Sequence, residues 1–493
     1  MILATLAAVI LPWTASIWIY LKRKSYFHTK LKELPLLSRY AFLFFAFCIY
    51  LFFLKPGHSS EQAVFSRNFS YEVAWSLFAD RELENSPPPD SQFKPPIDSH
   101  LIRSRFTKKR NLVVIVLEST RADATSIYNP KLDTTPFLKQ LAKNSIVALR
   151  GYSVNPHTSK CLVAIHCGIE PRPGMAVHEA GRGGLPAKCL PSLLKEVGYH
   201  TAYFQSPTYW FESRHKLVKN LKYDEFYPGE SHPKQGFSKV NYFGYEDKIM
   251  LAPAEKWLKE YKQKNGNKPF LLTFLTNTSH HPYGVPKGWP IKQYVTNPRF
   301  NRYLNTVAYV DSFLKDLFDI FKRTRYYENT VFLITGDHGE AFYEHGFRGH
   351  SNHLYEETLR IPVLIHDPLR KTNLRIRKVV AEYDYLPTII PFLGYQIENN
   401  HYRGINFMRI QKSPRNVYLS CWKNYTCLGF VNKFEKYIYW FNNRPDEYYH
   451  LQADPLEKKN LARETHNIAM YRQQTLTWYK QIKALYDQMG VRP

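Results

Sequence analysis

"NLVVIVLEST", residues 111–120, is the stretch on which the fold turns. Its apolar, β-branched run shows no alternation of polar and apolar positions. That is the pattern of a strand covered on both faces, as in a parallel sheet between helices. The run leads straight into Glu118. In open α/β sheets ligands bind outside the carboxyl ends of the strands, so an acid there is a candidate ligand-facing group.

The segments downstream repeat the theme. A helix is expected near PFLKQLAKNS (136–145), another near LPSLLKEVG (190–198), and a strand at HTAYFQS (200–206). Then come a helix around APAEKWLKEYKQ (252–263), a strand at PFLLTFLTNTS (269–279), and a long helix at YLNTVAYVDSFLKDLFDIFKR (303–323). The strands TVFLIT (330–335) and IPVLIHD (361–367) follow. Strands alternating with helices imply an α/β fold with a mainly parallel central sheet covered by helices on both faces. No internal repeat is visible.

Two further strands end as the first one does. PFLLTFLTNTS runs into His280 and His281, and TVFLIT runs, after Gly336, into Asp337 and His338. Polar residues are ordinary at strand ends, but carboxylate or imidazole at all three is not. Two carboxylates and an imidazole nitrogen suit a divalent ion such as zinc, with a position left open for a substrate oxygen.

A nucleophile is expected in NPHTSKCLVAIHCG (155–168), where Thr158 stands at a cap position, an apolar run follows and Gly168 closes a helix. A hydroxyl at a helix N-terminus faces free backbone N–H groups, which favour a phosphate, and a nearby metal can ionise it. The bland reading is a simple cap, and Ser159 is a rival hydroxyl.

Composition bounds the rest. At 493 residues, with 44% apolar and 16% aromatic content, the chain can bury a large core and is not disordered. The formal net charge is +25, with Lys and Arg spread along the chain rather than gathered in arms. That suits an anionic surface such as lipid headgroups, and no zinc-finger spacing or aromatic RNA-binding signature argues for nucleic acid.

MILATLAAVILPWTASIWIY (1–20) is uncharged and long enough to span a bilayer, and YAFLFFAFCIYLFFL (40–54) is a second apolar run. Between them Lys22, Arg23, Lys24, Lys30, Lys32 and Arg39 should stay cytoplasmic. A cleaved signal peptide would carry its basic residues before the apolar run, not after it. The expectation is a membrane anchor at 1–54, a proline-dotted linker at 55–107 that includes ENSPPPDSQFKPP, and a catalytic domain at 108–493 outside the cytoplasm.

Six cysteines fit that compartment. Cys421 and Cys427 are close enough in sequence to bridge, and Cys161, Cys167 and Cys189 offer another pair. N-x-S/T sites at Asn68, Asn277 and Asn424 would accept glycans only in a eukaryotic secretory compartment.

Together VLESTRAD (116–123), the Thr158 helix, SHHPY (279–283), TGDHGEAFYEHG (335–346), EETLRIPVLI (356–365), YDYLPTIIPFLG (383–394) and EYYHLQADPLEKKNLA (447–462) resemble the sulfatase-like family of the alkaline phosphatase superfamily. Within it they are most similar to phosphoethanolamine transferase and lipoteichoic acid synthase type enzymes. The resemblance implies an alkaline-phosphatase-like sandwich, with Glu118, Asp337 and His338 as metal ligands and Thr158 as a nucleophile that also touches the metal. It implies contact of His280 and His350 with the phosphoryl or leaving group, and leaves His345 and His353 as neighbours. The implied cofactor is a divalent metal, zinc first, with Mn, Mg or Ca as alternatives.

True sulfatases carry Cys-x-Pro-x-Arg, whose cysteine, or serine in some bacteria, becomes formylglycine; this chain has Thr158, Lys160 and Leu162 there. Threonine cannot give that aldehyde. The resemblance therefore implies phosphoryl-group transfer from a membrane lipid donor to a glycan or lipid acceptor, ahead of sulfuric ester hydrolysis. A phosphodiesterase or phosphatase is the enzymatic alternative, and a non-catalytic membrane receptor or scaffold is the alternative of another class.

Overall fold

The computed structural model describes residues 93–490 except 106–108, 371, 412, 425, 442 and 443. The expected anchor at 1–54 lies outside the described residues. Among the described residues no helix is long and apolar enough to cross a membrane.

The main sheet is built from β1 (Asn111–Leu117), β2 (Ile146–Tyr152), β3 (His200–Gln205), β4 (Glu225–Tyr227), β5 (Phe270–Leu275), β6 (Thr330–Gly336), β7 (Arg360–Ile361), β8 (Val363–His366) and β9 (Leu374–Ala381). Its order is β7-β2-β8-β6-β1-β5-β3-β4, with β9 also paired to β2. All seven residues of β1 are buried, as its unbroken apolar run requires. The block β6-β1-β5-β3-β4 is parallel, as expected. The sheet as a whole is mixed, because β8 runs antiparallel to both β6 and β2. After β6 the chain spends residues 337–359 on a loop and two-residue strands with no long crossover helix. It therefore re-enters the sheet in the opposite direction, the return an antiparallel neighbour allows.

Among the described residues the helices flanking this sheet include α1 (Pro136–Ala142), α2 (Thr158–Cys167), α3 (Leu190–Glu196), α4 (Arg214–Leu221), α5 (Leu251–Asn265) and α6 (Pro298–Arg323). Side chains alternate along a strand, and the two faces separate accordingly. Val113, Ile115 and Leu117 of β1 share a core with Leu138 of α1, Leu258 of α5 and Leu314 and Phe321 of α6. α2 packs on the other face, where His166 Nε2 meets the Thr273 hydroxyl of β5 at 3.3 Å. The long α6 starts where Asn297 Oδ1 accepts N–H bonds from Arg299 and Phe300, with Pro298 at the first turn where its missing N–H costs nothing.

A second, antiparallel sheet follows in the order β10 (Val417–Ser420), β11 (Cys427–Asn432), β12 (Glu435–Trp440), β13 (Glu447–His450). The last helix, α7 (Ile468–Gln488), packs on it through Tyr471 against Phe430 and Tyr437. Cys421–Cys427 and Cys167–Cys189 are disulfides, and Cys161 is a buried free thiol.

Candidate active site

Register brings the three strand ends to one level. β1 lies between β5 and β6, with Val116 opposite Leu275 on one side and Thr335 on the other, and Leu117 opposite Gly336. The residues that follow leave the sheet together. A β-carbon on Gly336 would stand 2.5 Å from the Thr120 carbonyl, so only glycine lets the turn after β1 close over β6.

Ser119 sits in the left-handed region at φ 50°, a conformation that costs a non-glycine residue roughly 1–3 kcal/mol. Two bonds hold it there and orient both acids. Its N–H donates to Asp337 Oδ1 (2.8 Å) and its hydroxyl donates to Glu118 Oε1 (2.9 Å).

Glu118, Asp337 and His338 each offer a ligand atom, and these atoms lie within 4.8 Å of one another. His338 Nδ1 is 2.9 Å from the Gly339 carbonyl, which can only accept. The proton is therefore on Nδ1, and the Nε2 lone pair is turned to the carboxylates, 3.6 Å from Glu118 Oε1 and 3.5 Å from Asp337 Oδ2. Thr158 completes the group: its hydroxyl donates to Glu118 Oε2 (3.0 Å) and lies 3.4 Å from His338 Nε2. Thr158 is the first helical residue of α2 and not its cap. His157, extended at φ −159°, takes the cap position.

The donor set fits a divalent cation. Asp337 Oδ2 is buried and has no hydrogen-bond partner among the described residues. Among the described residues no lysine or arginine forms an ion pair with Glu118 or Asp337. Burial, with Asp337 beside it, raises the Glu118 carboxyl above the ordinary range, and burial lifts Asp337 to about 6. Burial, then the nearby His350, pushes His338 down to about 3. Positive charge placed among them would favour the ionised form of both acids, and His338, kept neutral, offers its Nε2 lone pair, so the three groups suit a divalent cation.

The two other expected histidines lie against this group. The His350 ring is 4.1 Å from that of His338, and the His280 ring is 5.8 Å from that of His350. Burial works against the charged form of His350, but the Glu340 carboxylate, 2.9 Å from its Nδ1, outweighs that and raises it to about 9. His280 Nδ1 lies 2.8 Å from the His281 carbonyl, which leaves its Nε2 as a lone pair, and burial lowers its pKa. All six residues singled out from the sequence thus form one chain of contacts.

Ser159 is held elsewhere, its hydroxyl bonded to Glu212 Oε2. His345 bonds Glu357 and the Leu456 carbonyl, and His353 is buried against Phe347. Asn277 is buried with its side chain bonded to Asn241, so it is no surface acceptor.

Several groups escaped the sequence reading. Glu340 lies inside TGDHGEAF and was within reach, since it follows the metal-type pair by two positions. Glu212 was not: it binds His157 Nε2 (2.6 Å) from a loop far along the chain. Neither was Arg214, a buried guanidinium near Glu212 whose Nε and Nη1 have no hydrogen-bond partner among the described residues. Trp422, from the second sheet's disulfide loop, stacks on His157 at 4.4 Å and 3°. Only packing reveals these.

A family model described as Sulfatase matches residues 110–395. The lipoteichoic acid synthase-like protein YvgJ of Bacillus subtilis (strain 168) is 26% identical over 334 residues, covering 63% of this chain and 52% of that protein. A lipoteichoic acid synthase of Staphylococcus saprophyticus is 23% identical over 329 residues, covering 61% and 48%. The match thus spans about half the length of these relatives. Among solved structures, an alkaline phosphatase superfamily protein from Vibrio parahaemolyticus superposes with a TM-score of 0.65 at 20% identity, covering 87% of this chain and 99% of that one. The lipoteichoic acid synthase LtaP from Listeria monocytogenes superposes at 0.62 and 17% identity, covering 84% and 98%. These two likenesses establish the alkaline-phosphatase-like α/β fold.

Proposed function

The chain belongs to the sulfatase family, a family of enzymes, and from that premise we propose that it is a metal-dependent phosphoryl-group transferase with Thr158 as nucleophile. It moves a phospho-alcohol group, such as phosphoglycerol or phosphoethanolamine, from a membrane lipid to an extracytoplasmic glycan or lipid acceptor. Residues 1–54 anchor it in the membrane, 55–107 connect, and 108–493 form the catalytic domain. The observation that carries this reading is the Thr158 hydroxyl, 3.0 Å from Glu118 Oε2 and 3.4 Å from His338 Nε2.

In the first half-reaction Thr158 Oγ1 bonds to phosphorus and the bond from phosphorus to the lipid oxygen breaks. The Thr158 proton is directed at Glu118 Oε2, its present hydrogen-bond acceptor. His350, whose imidazolium is favoured by Glu340, gives a proton to the departing lipid oxygen. In the second half the acceptor hydroxyl attacks the phospho-threonine ester, and Thr158 leaves, its oxygen taking back the proton held at Glu118 Oε2. His280 takes the acceptor's proton on its free Nε2. Glu118, Asp337, His338 and Thr158 would hold a divalent cation, zinc first and Mn, Mg or Ca as alternatives, which when bound would supply positive charge beside the threonine hydroxyl and the transferring oxygens. Arg214, with donor atoms to spare beside Glu212, adds fixed positive charge close to Thr158's helix.

Support for transfer over sulfate ester hydrolysis comes from the threonine itself, which cannot become formylglycine, and from relatives that bear the name lipoteichoic acid synthase. The test is mass spectrometry of the Thr158 peptide after incubation with candidate lipid donors. An adduct whose mass equals one phospho-alcohol is expected. An unmodified Thr158 during measurable turnover would end the reading.

A further inference from the structure

Thr158 and His350 reach the site on different segments, one opening α2 and the other in the loop after β6. A third segment, from the second sheet, touches both. Where β10 ends, the Ser420 N–H donates to the Val154 carbonyl at 3.1 Å, and the Ser420 hydroxyl accepts from Asn155 Nδ2 at 2.9 Å. Two residues on, the Trp422 ring lies on that of His157, 4.4 Å away and within 3° of parallel. On the other side the N–H groups of Trp422 and Lys423 converge on the Ser351 carbonyl at 3.1 and 3.4 Å, one residue past His350. Val154, Ala164 of α2, Leu354, Cys421 and Cys427 share one apolar core with these contacts.

His157 is the route from this third segment to Thr158. Its carbonyl accepts the N–H groups of Lys160 and Cys161, each at 3.0 Å, and these bonds start α2. Its ring is held at Nε2 by Glu212 (2.6 Å) and on its face by Trp422. A residue fixed at both backbone and ring leaves the threonine that follows it little freedom. Trp422 Nε1 has no hydrogen-bond partner among the described residues, so what Trp422 gives to His157 is its ring face.

The loop that carries Trp422 is closed twice. Cys421 and Cys427 form a disulfide, and the Cys421 N–H donates to the Cys427 carbonyl at 2.9 Å. A short loop with few conformations left can orient its neighbours at little entropic cost.

We propose that the Cys421–Cys427 loop is a brace that sets the spacing of the Thr158 and His350 segments, with Trp422 as its positioning residue, acting through His157. The brace stands on these contacts; only its effect on turnover rests on the transferase reading. Nucleophile and proton donor must meet the same transferring group, and a misplacement of about 1 Å can cost on the order of 10²-fold in rate.

The experiment compares the full chain in detergent with Trp422→Ala, Trp422→Phe and Cys421→Ser/Cys427→Ser, by amide hydrogen exchange and by turnover of a small chromogenic phosphodiester. Loss of the stack in Trp422→Ala should speed exchange at residues 155–168 by about threefold to tenfold, while β1 and β5 keep their protection. The double cysteine variant should speed exchange at 345–355 as well, and Trp422→Phe should stay close to the parent.

In turnover, Trp422→Ala should lower kcat per folded chain by about tenfold or more with KM within about twofold, and Trp422→Phe should recover most of the loss. Added to His157→Ala, Trp422→Ala should cost nothing further, because its effect passes through that ring. A Trp422 that only stabilises the fold would lower the thermal midpoint and leave kcat per folded chain unchanged, which would overturn its positioning role. Unchanged exchange on both segments in folded Trp422→Ala and double cysteine variants would overturn the brace. A parent that turns over no phosphodiester would defeat the transferase reading and leave exchange to decide the brace.

Discussion

Glu118, Asp337 and His338 converge where β1 and β6 end, and His345, Glu357 and Glu457 converge between the loop after β6 and the segment after β13. The two groups offer the same kinds of ligand atom and differ in who supplies the positive charge. In the second group Lys436 reaches in from β12, 2.7 Å from Glu457 and 3.1 Å from the neighbouring Glu356. His345 has both ring nitrogens engaged, by Glu357 and the Leu456 carbonyl. In the first group no described lysine or arginine does this, Asp337 Oδ2 has no partner, and His338 turns a lone pair inward. Residue type therefore does not separate a cation site from a salt-bridged core. The separating feature is whether the chain has already satisfied its own acids.

The largest effect should come from Thr158→Ala, which removes the hydroxyl from the first group alone. Turnover should fall by about 10³-fold or more, with the thermal midpoint and bound metal nearly unchanged. Retained turnover would break the comparison at its most functional point.

Next, Glu118→Gln should lower metal affinity by about 10²-fold or more, read by elemental analysis of the purified protein. The metal-free midpoint should hold or rise, because one of two crowded acids has lost its charge. His345→Gln or Glu457→Gln should leave metal content as it was, and loss of metal in either would erase the distinction between the two groups.

Lys436→Met should do the reverse. It leaves Glu356 and Glu457 buried without their cation, which costs about 3–5 kcal/mol of stability by denaturant unfolding, with metal content per folded chain unchanged.

The smallest effect is a pH dependence in the second group. Burial raises the Glu357 carboxyl, but its bond to His345 prevails and holds it below its ordinary value of 4.5. Burial lowers His345, but Glu357 prevails and holds it above its ordinary 6.5. The acid's contribution is present above 4.5 and fades as pH falls through its folded pKa. The imidazole's is present below 6.5 and fades as pH rises through its own. Relative to His345→Gln, the parent should be favoured most between these two values, by about 1 kcal/mol, with the gap closing in acid and in base. A gap that stays flat with pH would remove His345 from that ion pair.

Much of this could be read before any coordinates. β1, β5 and β6 announce themselves as apolar runs, and the ligand-type residues sit directly after them, so strand ends and site candidates came from one pattern. The strands β2 and β9 were missed because Arg150 and the Arg375–Lys378 stretch interrupt their apolar character, and β10–β13 because short, half-polar strands carry little period. The reversal at β8 escaped because direction depends on how the chain returns after β6, and a four-residue run such as Val363–His366 carries no signal of direction.

The sequence by itself determined the covered sheet, the acids and imidazoles at its carboxyl edge, and a hydroxyl opening a helix, because periodicity and local propensity are properties of neighbours along the chain. Tertiary structure alone decided that β5, β1 and β6 are adjacent, that Thr158 rather than Ser159 faces Glu118, and that Lys436 neutralises one acidic group and leaves the other open. Those facts depend on register and packing between residues tens to hundreds of positions apart, where contact follows from space and not from order in the chain.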